Sequence, residues 1–191
     1  DLALGQIRFL HARSVQDDPT RVIRAARYAA RLGFELAKES REQIRSTMQQ
    51  WPWAWGQGDA ALTAPPALAS RLRMELERLL EREPWPQALD LLEQWKALPL
   101  LDAQLQRDPG RTQRLHWARR LGLPLMPAFL AGAADPVAVA ERLQIPGKQQ
   151  QWLQGCGELR DWLVDTPPPL EATPSIWSTA IEQQGWPLEV V

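Results

Sequence analysis

Apolar residues recur at three- and four-residue spacing through most of the chain, and this pattern predicts a protein built from α-helices. The clearest helix is predicted over residues 66–82, where leucines form a continuous apolar stripe. Another begins at Asp18-Pro19 and ends at Gly33, and its alanine-rich face should let a neighbouring helix approach closely. Further helices are predicted over residues 39–50, 87–98, 111–121, 136–143, 148–163 and 175–184.

The pattern predicts an all-α fold with no substantial sheet. No stretch alternates apolar and polar residues for long enough to indicate a strand, and no fixed-period repeat is present. Prolines mark the joints between the predicted helices. We predict a boundary near residue 83, between a basic, regular first part and a more acidic, tryptophan-rich remainder, with residues 165–174 as a second linker.

Composition is that of an ordinary soluble globular protein, with 191 residues of which 45% are hydrophobic and 24% charged. The charge-free stretch over residues 121–134 contains two prolines and is too short and too broken to cross a bilayer, so no membrane span is expected. The single Cys156 excludes an internal disulfide, and the first residues do not resemble a secretory signal. We therefore expect a cytoplasmic protein.

Charge is distributed unevenly along the chain, although the net charge is only −1. Residues 1–82 carry thirteen basic and ten acidic side chains, whereas residues 83–191 carry nine and thirteen. A polyanion should therefore prefer the first part. Nineteen of the twenty-two basic residues are arginine, which suits forked hydrogen bonding to phosphates or base edges, although a GC-rich genome produces the same bias.

The sequence contains no arrangement typical of a metal site, a phosphate-binding loop or a catalytic triad. The closest paired acids are Glu75 with Glu77 and Glu81 with Glu83. Members of each pair point about 200° apart on a helix, so they cannot share a metal ion, and we expect them to lie on solvated helix faces.

Cysteine and tryptophan side chains offer two further candidates. Cys156 lies between two glycines and is expected to be a small buried apolar residue rather than a reactive thiol. Trp51, Trp53 and Trp55 alternate with Pro52 and Ala54 in a predicted loop. We expect them to pin the loop to the core, with stacking on nucleic-acid bases as the alternative.

A row of charged side chains follows the predicted opening of the helix that ends at Gly33. Asp18, Arg21, Arg24 and Arg27 recur every three residues and span roughly 13 Å of helix axis, the length of an extended nucleoside triphosphate. A fixed carboxylate and guanidinium match the amino group and ring acceptor of adenine or cytosine, but not guanine or uracil. The alternative is that the carboxylate only caps the helix while the arginines are solvated.

This stretch resembles the neck of the class II tRNA nucleotidyltransferase and bacterial poly(A) polymerase family. The resemblance covers residues 1–44 and includes the acidic pair, two intervening residues and arginine of the family signature, with a second similar stretch over residues 70–80. It implies that Asp18 and Arg21 form an amino-acid template for the base of ATP or CTP. It further implies that Arg24 and Arg27 contact the nucleotide. Asp17 stands where many members have glutamate.

The family's catalytic head, with a Gly-Ser motif and an Asp-x-Asp pair that holds Mg²⁺, has no counterpart in this sequence. The resemblance implies a neck over residues 1–83, a helical body over 84–164 and a linker with a tail helix over 165–191, in an elongated arrangement. The expected partners are the tRNA 3′ end, ATP or CTP, and a head from the same parent chain or a separate subunit. Without that head we expect no catalysis.

Several alternatives stay open from the sequence. The chain can be a stand-alone helical RNA-binding or scaffold protein, or part of a poly(A) polymerase. It can also be an isolated domain, a proteolysis product or one subunit of a split enzyme. Addition of CC, of A alone or of complete CCA is not distinguished, because that choice depends largely on the head.

Overall fold

The fold is known from a computed structural model that describes residues 2–50, 66–165, 169, 171–186 and 190. The predicted tryptophan loop at Trp51, Trp53 and Trp55 lies outside the described residues, as does part of the linker over 165–174. The helices are α1 (Ser14–Asp17), α2 (Thr20–Leu32), α3 (Lys38–Gln49), α4 (Pro66–Arg82), α5 (Trp85–Gln94), α6 (Arg111–Arg120), α7 (Leu125–Leu130), α8 (Pro136–Arg142), α9 (Gly147–Asp165) and α10 (Pro174–Gln183).

The predicted all-α class is confirmed, since the strands in the described part of the chain are only two residues long. Strands β1 (Gln6–Ile7) and β2 (Glu35–Leu36) pair in parallel, and the chain segment that connects them contains α1 and α2. Three short 3₁₀ turns, which were not predicted, complete the described elements at Leu2–Leu4, Leu98–Leu100 and Gln104–Arg107.

Helix α2 is held between other elements, as its alanine-rich face predicts. Ala25, Ala26 and Ala29 are buried, and the helix contacts both α4 and α5. It ends at Gly33, whose φ of 65° lies in the left-handed region that glycine adopts without steric strain.

Helix α7 was not predicted, because it occupies six residues of the charge-free stretch and contains a proline. Pro127 is tolerated in its first turn, where a backbone N–H needs no partner within the helix. Five of the six residues are buried, so this stretch supplies a core helix. Among the described residues, no helix combines the length and apolarity that a bilayer crossing requires.

One apolar core connects the two halves of the molecule. The cluster of buried side chains runs from Val15 in α1 to Leu153 in α9 and includes the leucine stripe of α4. Residues on both sides of position 83 therefore share this core. The division into a neck (residues 1–83), a body (84–164) and a tail (165–191) remains a prediction from sequence.

Candidate functional site

Asp18 lies between α1 and α2, in extended backbone with φ of −149°. Its Oδ1 accepts hydrogen bonds from the backbone N–H and the hydroxyl of Thr20, at 3.2 and 2.6 Å. Because Thr20 is the first residue of α2, this oxygen satisfies one of the N–H groups that the helix leaves without an internal partner. Asp18 therefore caps the helix, and the contact fixes the orientation of its carboxylate.

The second carboxylate oxygen of Asp18 faces a neighbouring helix. Arg71 of α4 places Nη1 at 3.3 Å from Oδ2, and 18% of the Asp18 side chain is exposed. Arg71 was not among the predicted site residues, because it lies 53 residues from Asp18 along the chain. Capping thus uses one oxygen of Asp18, and the other is held by a guanidinium that is itself about half exposed.

Arg21 lies one turn further along α2 at the same end of the helix. Its Nη1 donates to the backbone oxygen of Ser14 at 3.3 Å and lies 3.4 Å from Nε2 of His11. The other ring nitrogen of His11 is 3.8 Å from a carboxylate oxygen of Asp17. The start of α2 therefore brings carboxylates, guanidiniums and an imidazole together, and His11 is a neighbour that spacing alone did not identify.

Arg27 points into the protein. Only 9% of its side chain is exposed, and it lies between two glutamates, Glu75 in α4 and Glu83 just after α4. Arg27 donates Nη1 to Glu75, and it donates Nε and Nη2 to Glu83 at 3.2 and 2.9 Å. Three of its five N–H groups are therefore used to join α2 to α4.

Further arginines surround the same two glutamates. Arg24, with about half of its side chain exposed, donates Nη2 to Glu75 at 3.0 Å, and Arg78 donates to the same oxygen at 3.2 Å. Arg31 donates both Nε and Nη2 to Glu83. We call these residues the glutamate–arginine cluster: Glu75, Glu83, Arg24, Arg27, Arg31 and Arg78.

The prediction that both acid pairs lie on solvated faces is wrong for Glu75 and Glu83, whose side chains are 3% and 1% exposed. Residues two apart on a helix diverge by about 200°, so one acid of each pair falls within the leucine stripe of α4 and its continuation. Burial alone would raise the pKa of Glu83, but hydrogen bonds from Arg31 and Arg27 outweigh burial and lower that pKa. The same contact with Glu83 raises the pKa of Arg31.

The four predicted site residues therefore divide into two groups. Asp18 and Arg21 lie at the N-terminal end of α2, and Arg24 and Arg27 bind the buried glutamates. Contact of any of the four with a nucleotide remains a prediction. Within the described ranges, no three His, Cys, Asp or Glu side chains are placed to hold a metal ion.

Curated proteins are similar in sequence to this chain, although no protein-family model matches it. A CC-adding tRNA nucleotidyltransferase of Deinococcus radiodurans is 34% identical over 160 residues, covering 76% of this chain and 35% of the relative. A Multifunctional CCA protein of Neisseria gonorrhoeae is 33% identical over 115 residues, covering 60% of this chain and 25% of the relative. This chain is homologous to part of the tRNA nucleotidyltransferases. It spans only about a third or less of these relatives' length.

Solved structures show that the tRNA nucleotidyltransferase likeness extends to the fold. A tRNA-processing enzyme complex matches with a TM-score of 0.62 and 17% identity, covering 100% of this chain and 53% of the other. A tRNA nucleotidyltransferase complexed with a primer tRNA and an incoming ATP analogue matches with a TM-score of 0.55 and 16% identity, covering 100% and 56%. The family resemblance that the sequence predicts is confirmed.

Proposed function

We propose that this chain is the nucleotide-selecting and RNA-binding part of an enzyme that adds C, A or both to tRNA 3′ ends. The relatives named for CC or CCA addition support this assignment. The observation that carries it is the placement of Asp18 and Arg21 one helical turn apart at the start of α2, where both are partly accessible. One supplies a hydrogen-bond acceptor with a fixed orientation, and the other supplies donors.

Adenine and cytosine present an amino donor beside a ring acceptor, whereas guanine and uracil present a carbonyl at the position of the amino group. Oδ2 of Asp18 accepts from the amino group, and Arg21 donates to the ring nitrogen. Arg71 lies 3.3 Å from this oxygen, so an incoming base takes the place of Arg71 there. A guanine or uracil leaves the carboxylate without a donor, and that loss is the source of discrimination.

Arg24 and Arg27 have different parts in this proposal. Arg24 keeps about half of its side chain exposed while it binds Glu75, so it can also contact a phosphate. Arg27 has two N–H groups left after its bonds to Glu75 and Glu83. We assign it chiefly to fixing α2 against α4, with nucleotide contact through the remaining donors.

Nucleotidyl transfer itself belongs to a catalytic head, in the same parent protein or a separate subunit, where carboxylates hold Mg²⁺. Because the described residues contain no set of ligands that fits a metal, we assign no residue of this chain to Mg²⁺. In this proposal, nucleotide addition by the chain depends on that head. Its partners in this proposal are the head, ATP or CTP and the tRNA 3′ end, in the cytoplasm.

An extension assay tests the assignment. The chain is combined with a matching head, Mg²⁺ and a tRNA lacking its 3′ terminal residues, and incorporation from each of the four nucleoside triphosphates is measured. Arg21→Ala should lower ATP and CTP incorporation about 10- to 100-fold, the effect of removing a hydrogen bond from a charged group. Asp18→Asn replaces an acceptor oxygen with an N–H₂ donor and should relax selection towards GTP and UTP.

Glu42→Gln is the matched control, because it is the same carboxylate-to-amide change at an acid of α3 that is 61% exposed, pairs with Arg45 and is not assigned to the nucleotide. It should leave nucleotide selection unchanged. Circular dichroism melting curves identify variants that fail to fold. Normal extension and normal selection by folded Arg21→Ala and Asp18→Asn would refute the template.

A further inference from the structure

A cavity of about 480 Å³ lies among α6, α7 and α9, away from the residues assigned to the nucleotide. Its volume is within the roughly 300–1,000 Å³ typical of ligand pockets. The lining is mainly apolar and includes Trp117, Leu121, Pro124, Trp152 and Cys156. None of the described lining residues is acidic.

Each tryptophan of this cavity has a cationic group over its ring. The guanidinium of Arg120 is 5.2 Å from the centre of the Trp117 ring, and the ammonium of Lys148 is 5.1 Å from that of Trp152. Trp117 is 51% exposed, so part of its ring is available to a ligand. Two aromatic rings with adjacent positive charges thus border one cavity.

Helix α6 supplies positive charge in a part of the chain that is otherwise acidic. It contains four arginines and no acid. Arg111 is paired with Asp90 and Glu93, and Arg114 with Asp108. In contrast, Arg119 and Arg120 are exposed and have no carboxylate partner among the residues that the structure describes.

We propose that this cavity is a stacking subsite for an unpaired base of a bound RNA strand. The inference rests on the proposed function insofar as that function makes RNA a partner. Every base has a flat face that stacks on an indole, and the phosphates beside it match exposed arginines. A purely apolar ligand would match the walls but not the cations. An acidic peptide would match the cations but need not contain a flat ring to stack on the tryptophans.

Fluorescence anisotropy of the chain with a labelled single-stranded RNA of about twelve nucleotides, a length within the usual range of such sites, tests the subsite directly. An abasic ribose-phosphate strand of equal length and charge separates stacking from phosphate contacts. Trp117→Leu should weaken RNA binding about 5- to 100-fold, the effect expected for one lost base stack, whereas Trp117→Phe should retain most of the affinity. The abasic strand should bind wild type about as weakly as RNA binds Trp117→Leu.

The cationic component has its own variant and matched control. Arg120→Ala should reduce the slope of log affinity against log salt concentration by about one. Arg160→Ala removes another exposed arginine, on α9 beside Asp161, and it should leave the slope unchanged. RNA should also slow alkylation of Cys156, because this cysteine lines the cavity.

The subsite is overturned if RNA and the abasic strand bind with equal affinity, or if folded Trp117→Leu binds RNA as wild type does. Either result leaves the proposed function untouched, because the extension assay tests that function separately. Absence of RNA binding by the chain also overturns it. Self-association that Trp117→Leu abolishes, with RNA affinity intact, assigns the cavity to a protein contact instead. If stacking holds but Asp18 and Arg21 variants extend normally, the template fails and the subsite stands.

Discussion

Replacing Glu83 with glutamine removes one charge from the glutamate–arginine cluster while keeping the side-chain volume. Glu83 accepts four N–H groups, two from Arg27 and two from Arg31. Glutamine offers one oxygen and turns an N–H₂ donor towards these guanidiniums. We expect Glu83→Gln to destabilise the fold, because Arg27 keeps its charge inside the protein with Glu75 as its remaining carboxylate partner.

The expected size follows from burial. Removing one partner of a buried ion pair typically costs about 3–5 kcal/mol, because the other charge stays buried without compensation. Arg27 is only 9% exposed and loses one of its two carboxylate partners while keeping Glu75, so the cost should lie at the lower end of this range, about 3 kcal/mol; Arg31 is 49% exposed and contributes little. For a protein of this size each kcal/mol shifts Tm by about 2–4 °C, so the variant should melt about 6–12 °C lower.

Thermal unfolding followed by circular dichroism measures this difference, with Glu81→Gln as the control because Glu81 is an exposed acid in the last turn of α4, two residues before Glu83. The control should change stability by less than about 0.5 kcal/mol. The contacts of Glu83 lower its pKa, so their stabilisation is complete at neutral pH and is lost as pH falls through that lowered value. The melting curves of wild type and Glu83→Gln should therefore converge on acidification. Equal Tm values for the two glutamine variants at pH 7 would refute the reasoning.

Three further predictions concern the core and the cavity. Gly132→Ala should cost about 1–3 kcal/mol on chemical denaturation, because an added Cβ would lie 2.0 Å from a carboxylate oxygen of Asp108, whereas Gly147→Ala, with nothing within 4 Å, should be nearly neutral. Burial raises the pKa of the Cys156 thiol, so alkylation at pH 7.5 should be slower than that of a free small thiol and should accelerate as pH rises; an equal rate would contradict this. Phe129→Ala should cost about 3–5 kcal/mol, because Phe129 is fully buried, and an unchanged denaturation midpoint would argue against this packing.

Elements with strong local determinants could be predicted from the sequence. Helix α4 follows its leucine stripe, and α2 ends at the predicted glycine. The predicted helix over residues 87–98 ends early at Gln94, because Lys96 takes a left-handed φ of 56°. Such a conformation is uncommon for a residue with a side chain, so no sequence rule indicates it.

The site was only partly predictable because its contacts are distant along the chain. Asp18 and Arg21 were found from spacing on one helix, but Arg71 and Glu83 lie more than fifty residues from their partners. One indication was present: Glu75 falls within the leucine stripe, where an acid requires a buried counter-charge. The arginine row of α2 supplies that charge.

The stoichiometry of the glutamate–arginine cluster has an electrostatic consequence. Four guanidiniums surround two carboxylates, so two positive charges remain uncompensated within the cluster at neutral pH. A local excess of this kind attracts polyanions before contact and accelerates diffusional encounter. At 0.1 M salt its reach is limited to about 10 Å, so the rate at which an anionic ligand arrives should fall steeply with ionic strength while the folded state is little affected.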